Sequence, residues 1–164
     1  MIYIQGLGAL SLASRLKNIS DQLMAGLKKV YIDSGTTFEP AWFPVIHYLY
    51  VVGPASVTHL SKELGVTHPA VVQIINKLEK KGLAARKSVE GDERVSMIIL
   101  THRGEILAVK LIDKWAEIKC ATEDLIYEID PKFMDSLRRL EKELSEADIY
   151  ERIKRKHLFT AGNR

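Results

Sequence analysis

Two side-chain amides, Gln73 and Asn76, stand three residues apart in a run whose other outward-facing positions are His68, Pro69, Val72 and Lys80. An amide offers an acceptor and a donor side by side, a fork that matches N6–H and N7 of adenine, so such a pair can read base edges in a major groove. Val72 suits the methyl group of thymine, while Thr67, His68 and Lys80 suit phosphate oxygens. Each residue also has a plainer reading. Gln73 and Asn76 also fit as solvated helix residues, Lys77, Lys80 and Lys81 as a solubilising charge run, and Thr67 and Pro69 as a helix cap and a first-turn residue. Catalytic chemistry has no comparable constellation. His47, His59, His68, His102 and His157 are scattered, without HExxH, CxxC, GxSxG or phosphate-loop spacing, which leaves no nucleophile and base pair and no metal ligand set. The expectation is a chain that is not an enzyme and carries no cofactor and no metal.

The amides need a frame that holds them outward, and the pattern of apolar residues supplies it. Leu12, Leu16, Ile19, Leu23, Leu27 and Val30 recur at spacings of three and four, which predicts an amphipathic helix from Leu7 to about Asp33. The cluster Asp33-Ser34-Gly35-Thr36-Thr37 breaks it, and Pro40 and Pro44 delay a short second helix over Val45 to Val52. After Gly53-Pro54 a helix opens at Ala55 or Ser56, with Val57, Leu60 and Leu64 on one side, and closes at Gly65. Thr67 then caps the next helix with its hydroxyl, and Val71, Ile74, Ile75 and Leu78 form its buried stripe before Gly82 ends it. Strand-like runs from Leu83 to Val89 and from Val95 to Leu100, separated by Glu90-Gly91-Asp92-Glu93, predict a β-hairpin. Thr101 caps a long helix with Leu111, Trp115, Ile118, Leu125 and Ile129 on one face. Asp130-Pro131 starts a last helix through Phe133, Leu137, Leu140 and Leu144, and a basic, frayed tail covers 151–164.

At 164 residues, 46% of them hydrophobic and 27% charged, the chain has the make-up of an ordinary globular protein with a real core and room for a single domain. A net charge of +3 is compatible with a polyanionic partner but too mild to demonstrate one. The single cysteine, Cys120, forms no internal disulfide, and no basic residue precedes Arg15 to make a signal-peptide start, so the expected location is cytoplasmic. No apolar run reaches the length of a membrane span. Cys120 sits on the polar side of its helix beside Lys119, and redox sensing there is a minor alternative.

The order helix, tight turn, helix, hairpin describes a winged helix-turn-helix, in which the second helix is held for a major groove and the hairpin is the wing. The run from Val57-Thr58-His59-Leu60-Ser61-Lys62-Glu63-Leu64-Gly65-Val66-Thr67-His68-Pro69 through Gln73, Asn76 and Lys80-Lys81-Gly82-Leu83 resembles the helix-turn-helix of the MarR family of bacterial transcription regulators. Gly91-Asp92-Glu93-Arg94 and Leu100-Thr101-His102-Arg103-Gly104 resemble the family's wing tip and the turn that closes its wing. The similarity covers roughly 41–104. It implies a mostly α fold with a small β-hairpin wing, a winged helix-turn-helix flanked by N- and C-terminal dimerisation helices at 7–33 and 105–150, in one domain spanning 1–164. By the same resemblance Arg94 is the first candidate for a minor-groove contact, with Asp92 pairing Arg94 or Arg86 to order the tip. Glu93 departs from the family, which places a basic residue there, and sets a negative charge near the phosphates.

The DNA-binding residues implied are thus Thr67, His68, Pro69, Val72, Gln73, Asn76, Lys80, Arg86 and Arg94. The partners implied are a pseudo-palindromic operator in double-stranded DNA, a second copy of the chain, and a small aromatic or lipophilic effector near Trp42, Phe43, His47 and Tyr48, with no membrane partner. The function expected is an effector-responsive dimeric repressor. A winged-helix protein-interaction module without specific DNA binding is the alternative, since the same fold serves both.

Overall fold

The computed structural model describes residues 3–89 and 92–161; the side chains of residues 89–95 and 157–161 lie outside that description. In chain order the elements are α1 (Tyr3–Gly6), α2 (Leu12–Asp33), α3 (Phe43–Val51), β1 (Ala55–Ser56), α4 (Val57–Leu64), α5 (His68–Lys80), β2 (Ala84–Val89), β3 (Asp92–Leu100), α6 (His102–Ile129), α7 (Phe133–Glu146) and α8 (Ile149–Ala161). Single turns of 3-10 helix at Gly8–Ser11 and Pro40–Trp42 lead into α2 and α3. The chain divides into two compact units, the first ending at Lys114 and the second starting at Trp115. The fold is mostly helical with one small antiparallel sheet. Among the described residues no helix is long and apolar enough to cross a membrane.

In the first unit the core is built from one side of each short helix. Val45, Ile46, Leu60, Val71, Ile75, Leu78, Ile98 and Leu111 have almost no contact with solvent. Burying a side chain of this size contributes about 1.5–3 kcal/mol, so these residues fix how α3, α4 and α5 face the sheet. The sheet has the strand order β1-β3-β2. The edge strand β1, Ala55–Ser56, stands where the sequence predicts a helix opening; two residues carry no alternation to detect, and pairing of Ala55 with Ile98 and Ser56 with Met97 creates the strand. Gly8, at φ +54, keeps the first turn separate, so α2 starts at Leu12 rather than Leu7.

Helix α5 ends in a tight motif that also sets the sheet. Gly82 takes φ +66, its N–H donates to Glu79 O at 2.8 Å, and the Leu83 N–H reaches back to Leu78 O at 2.9 Å. This is the left-handed termination that glycine makes cheap. The next constraint is Thr101, as the sequence predicts for a helix cap. Its hydroxyl accepts from Gly104 N–H at 3.2 Å and donates to Gly82 O at 2.6 Å, while its backbone N–H donates to Leu83 O at 3.0 Å. The end of α5, the end of β3 and the start of α6 are thereby joined at one point.

The second unit contains the remainder of α6 with α7 and α8. Asp130 does cap a turn, accepting from Lys132 N–H at 2.9 Å, but α7 begins only at Phe133, two residues past Pro131. The segment expected to be a frayed tail is helical as far as Ala161. Asp148 caps it, with Oδ1 2.8 Å from Glu151 N. Arg152 then ties α8 to the end of α7, donating to Ala147 O at 2.8 Å and to both the backbone oxygen and the carboxylate of Glu143. The Arg152 hydrogen bond and charge hold the Glu143 carboxyl below the ordinary carboxylate range.

A Cβ at Gly104 would stand 2.0 Å from Leu83 O and 3.2 Å from Leu100 Cδ2. Backbone oxygen cannot retreat as a flexible side chain does. Gly104→Ala is therefore expected to lower the stability by about 3 kcal/mol, measured as a drop in the urea midpoint followed by circular dichroism.

Candidate nucleic-acid interface

The tight turn between α4 and α5 is specified locally at both of its ends. The Ser56 hydroxyl accepts from His59 N–H at 3.2 Å and caps α4, which stops at Gly65 with φ +63. Ser61 Oγ donates to Val66 O at 2.6 Å and closes the turn. Only Val66 and Thr67 then separate Gly65 from α5. Leu60 packs in the same core as Val71, Ile75 and Leu78, all at 0% exposure, so the rotation of α5 about its axis is fixed from inside.

That rotation turns His68, Pro69, Gln73, Asn76 and Lys80 outward, all exposed, with Thr67 exposed at the helix start. They fall on one stripe because positions three and four apart share a helix face. Val72 is half-buried where the sequence reading had it exposed, and Ile74 is half-buried where that reading placed it in the core stripe. Both sit at the boundary between the two faces, which periodicity alone does not divide. Thr67 has the extended backbone of an N-cap, yet its hydroxyl makes no capping hydrogen bond, contrary to the expectation. Pro69 occupies the first turn as expected, where its missing N–H is no loss.

The two flanks of the stripe differ in charge. On one side Lys77, Lys80 and Lys81 border an open concavity of about 530 Å3 whose floor includes Ile74 and the buried Trp42, with Gln73 on its rim. On the other, Arg86 reaches from β2 onto α5, where Nη1 donates to Glu79 Oε2 at 2.7 Å and Nη2 to Asn76 Oδ1 at 3.0 Å. Glu79 and this bracket were not foreseen. Asn76, Glu79 and Arg86 are separated by a helix end and a strand, and no local pattern signals a contact made by the fold. Arg94 belongs to β3 by its backbone, but its side chain and those of Asp92 and Glu93 lie outside the described residues, and Gly91 lies outside them altogether.

Of the four aromatic and imidazole side chains expected at an effector pocket, Phe43 and His47 meet each other, while Trp42 and Tyr48 take other partners. Trp42 stacks edge-on against Phe38 with ring centres 5.8 Å apart and borders the lysine-rimmed concavity. Phe43 packs on His47 at 5.2 Å, and Tyr48 Oη lies 2.8 Å from His59 Nε2, linking α3 to α4. Cys120 is exposed, with Sγ 4.0 Å from Asp124 Oδ2. Among the described residues no group of three or more His, Cys, Asp or Glu side chains converges as a metal site would require.

Residues 36–95 match the family model described as MarR family. The chain is similar in fold to a MarR/EmrR family transcriptional regulator from Acinetobacter sp. ADP1, at 24% identity over 82% of this chain and 92% of that one, with a TM-score of 0.64. It is similar also to BpsR of Bordetella bronchiseptica, whose DNA binding is regulated by 6-hydroxynicotinic acid, at 20% identity over 82% and 98% of the two chains, with a TM-score of 0.61. NadR in complex with 4-hydroxyphenylacetate matches at 21% identity over 80% and 90%, with a TM-score of 0.55.

The capping geometry separates structural from surface roles at the turn. Ser56→Ala removes a formed cap and is expected to cost about 1 kcal/mol of stability. Thr67→Ala removes no such bond and should stay within about 0.5 kcal/mol of the parent. Paired denaturation curves measure both, and an equal loss for the two would contradict the assignment.

Proposed function

We infer that this chain, whose residues 36–95 match the MarR family model, is a DNA-binding transcriptional regulator and not an enzyme. The observation that carries the reading is the exposed stripe of α5: amides at Gln73 and Asn76 between His68 at one end and Lys80 at the other, on a helix whose inner face leaves it no freedom to rotate. Gln73 and Asn76 read base edges, Val72 touches a thymine methyl, and Thr67, His68 and Lys80 hold phosphates. Pro69 starts the helix. Arg94 enters the minor groove from the wing.

The regulator acts as a homodimer on a pseudo-palindromic site, because a two-fold pair of recognition helices must lie about one DNA turn, roughly 34–36 Å, apart. Leu12, Leu16, Ile19 and Leu23 on α2 support this, since all are exposed in the single chain along one helix stripe. Phe133 and Leu144 on α7 and Ile149 and Ile153 on α8 are similarly uncovered. Stripes of this size in water favour a second protein surface. The dimer works in the cytoplasm as a repressor released by a small aromatic or lipophilic effector, a reading supported by the regulation of BpsR by 6-hydroxynicotinic acid and the complex of NadR with 4-hydroxyphenylacetate. Such an effector acts only by binding one spacing of the two recognition helices better than another, and DNA must weaken effector binding by the same factor.

Two experiments test this reading. Titration of the protein onto its own upstream DNA should give an affinity whose logarithm falls linearly with the logarithm of salt concentration. Arg94→Ala should weaken binding and reduce that slope by about one, and Gln73→Ala should remove about 1–3 kcal/mol of discrimination at one base pair per half-site. Absence of selective binding by the folded protein at low salt would favour a protein-interaction module instead. Sedimentation should show a dimer that Leu16→Glu together with Leu23→Glu converts to monomer, with loss of operator binding. A wild-type monomer would sink the dimer assignment.

A further inference from the structure

The wing strand holds Asn76 in one orientation, and this decides which base it can read. Arg86 of β2 is paired with Ile98 of β3. Cross-strand partners leave the same face of a sheet, and Ile98 is fully buried, so the Arg86 stem departs from the face that packs on the core. Its guanidinium meets α5 at two residues three apart on one helix face, Asn76 and Glu79. The bond to Glu79 is short and charge-assisted, and the two side chains retain only 41% and 26% of their exposure. The guanidinium is therefore anchored on α5 while it stays partly open to solvent.

A guanidinium has donors and no acceptor, so the atom of Asn76 that faces it is the carbonyl oxygen. Adenine recognition by an amide needs that same oxygen to accept from N6–H while the nitrogen donates to N7. In this chain the oxygen already has a cationic donor 3.0 Å away. An adenine amino group would have to approach as a second donor beside the Arg86 guanidinium. Guanine instead presents O6 and N7, both acceptors, and no major-groove donor, which complements an amide NH2 group flanked by a guanidinium.

We propose that Arg86 is a positioning residue that makes Asn76 a donor-only reader, so that each half-site of the operator carries guanine, and not adenine, at the base Asn76 contacts. The proposal rests on the regulator reading above, and its test separates the two. Wild-type protein and the variants Asn76→Ala, Arg86→Met, Arg86→Lys and Glu79→Gln are each used to select duplexes from a randomised pool. Wild type should enrich guanine at one position per half-site, and Asn76→Ala should lose the preference at that position alone. Replacing that guanine by 7-deazaguanine should weaken wild type about tenfold and leave Asn76→Ala unchanged. Arg86→Met, which keeps the stem and removes the donors, should shift the preference towards adenine by about tenfold, while Arg86→Lys retains guanine. Glu79→Gln leaves Arg86 in place and loosens its anchor, so it should shift the preference the same way to a smaller degree, whether or not Arg86→Met folds. Wild-type selection of adenine at the Asn76-dependent position, or a guanine preference unchanged in both Arg86→Met and Glu79→Gln, would overturn the proposal and leave the regulator intact. Failure of folded wild-type protein to enrich any sequence overturns both.

Discussion

The close approach of Gly104 to the carbonyl of Leu83 governs how the winged helix is put together. There is no room for a side chain between them, and Thr101 closes the same junction with hydrogen bonds to Gly82, Leu83 and Gly104. Three elements start or stop within a few residues of this point. The last turn of α5 is tied through Gly82 and Leu83, β2 begins at Ala84, and α6 leaves from His102. The wing consequently has a fixed angle to the recognition helix, and the reach of Arg86 from β2 to Asn76 and Glu79 depends on that angle. A motif that reads in sequence as a family signature is, in physical terms, a knot of backbone hydrogen bonds around a position only glycine can occupy.

The electrostatics of the interface do not follow from net charge. A surplus of +3 over the chain is small, but it is unevenly distributed about α5. Lys77, Lys80 and Lys81 gather on one flank beside Trp42, and on the other Glu79 neutralises Arg86 and holds it. On the proposed reading the first arrangement would serve attraction to phosphates, which is long-ranged, screened by salt and indifferent to sequence. The second withdraws a cation from general attraction and uses it to orient an amide. On that reading, affinity and selectivity would fall to opposite sides of one helix.

Much of this architecture is legible in the sequence because it is local. The spacing of Val71, Ile75 and Leu78, the glycines at 65 and 82 and the Thr101 cap each report on a turn or a helix face, and the chain builds them where expected. Failures arise where a neighbour in space decides. Ala55–Ser56 becomes a strand only because β3 lies beside it, and the Thr67 hydroxyl forgoes its cap while Ser56 makes one. The segment beyond Ile149 is helical because Asp148 and Arg152 secure it, against a composition that reads as tail. Arg86 was legible as a basic residue near the wing but not as a partner of Asn76, since hydrogen-bond geometry between a helix and a strand leaves no trace in periodicity.

In the proposed dimer, two-fold symmetry would change the weight of such small interactions. In a dimer on a palindromic site each base contact is made twice, so a tenfold preference per half-site becomes about a hundredfold preference for the whole operator. An allosteric coupling is typically 1–3 kcal/mol, the same size as one bidentate base contact. An effector that shifts the spacing of the two helices therefore need not abolish phosphate contacts to release DNA. On the proposed reading, loosening a single amide contact would match the full coupling, because amides act only at hydrogen-bond distance whereas the lysines on the far flank would still attract across a Debye length of about 8 Å. Release by such a shift would return the protein to non-specific binding and leave it close to DNA, a state set by the lysine flank and not by the Arg86 bracket.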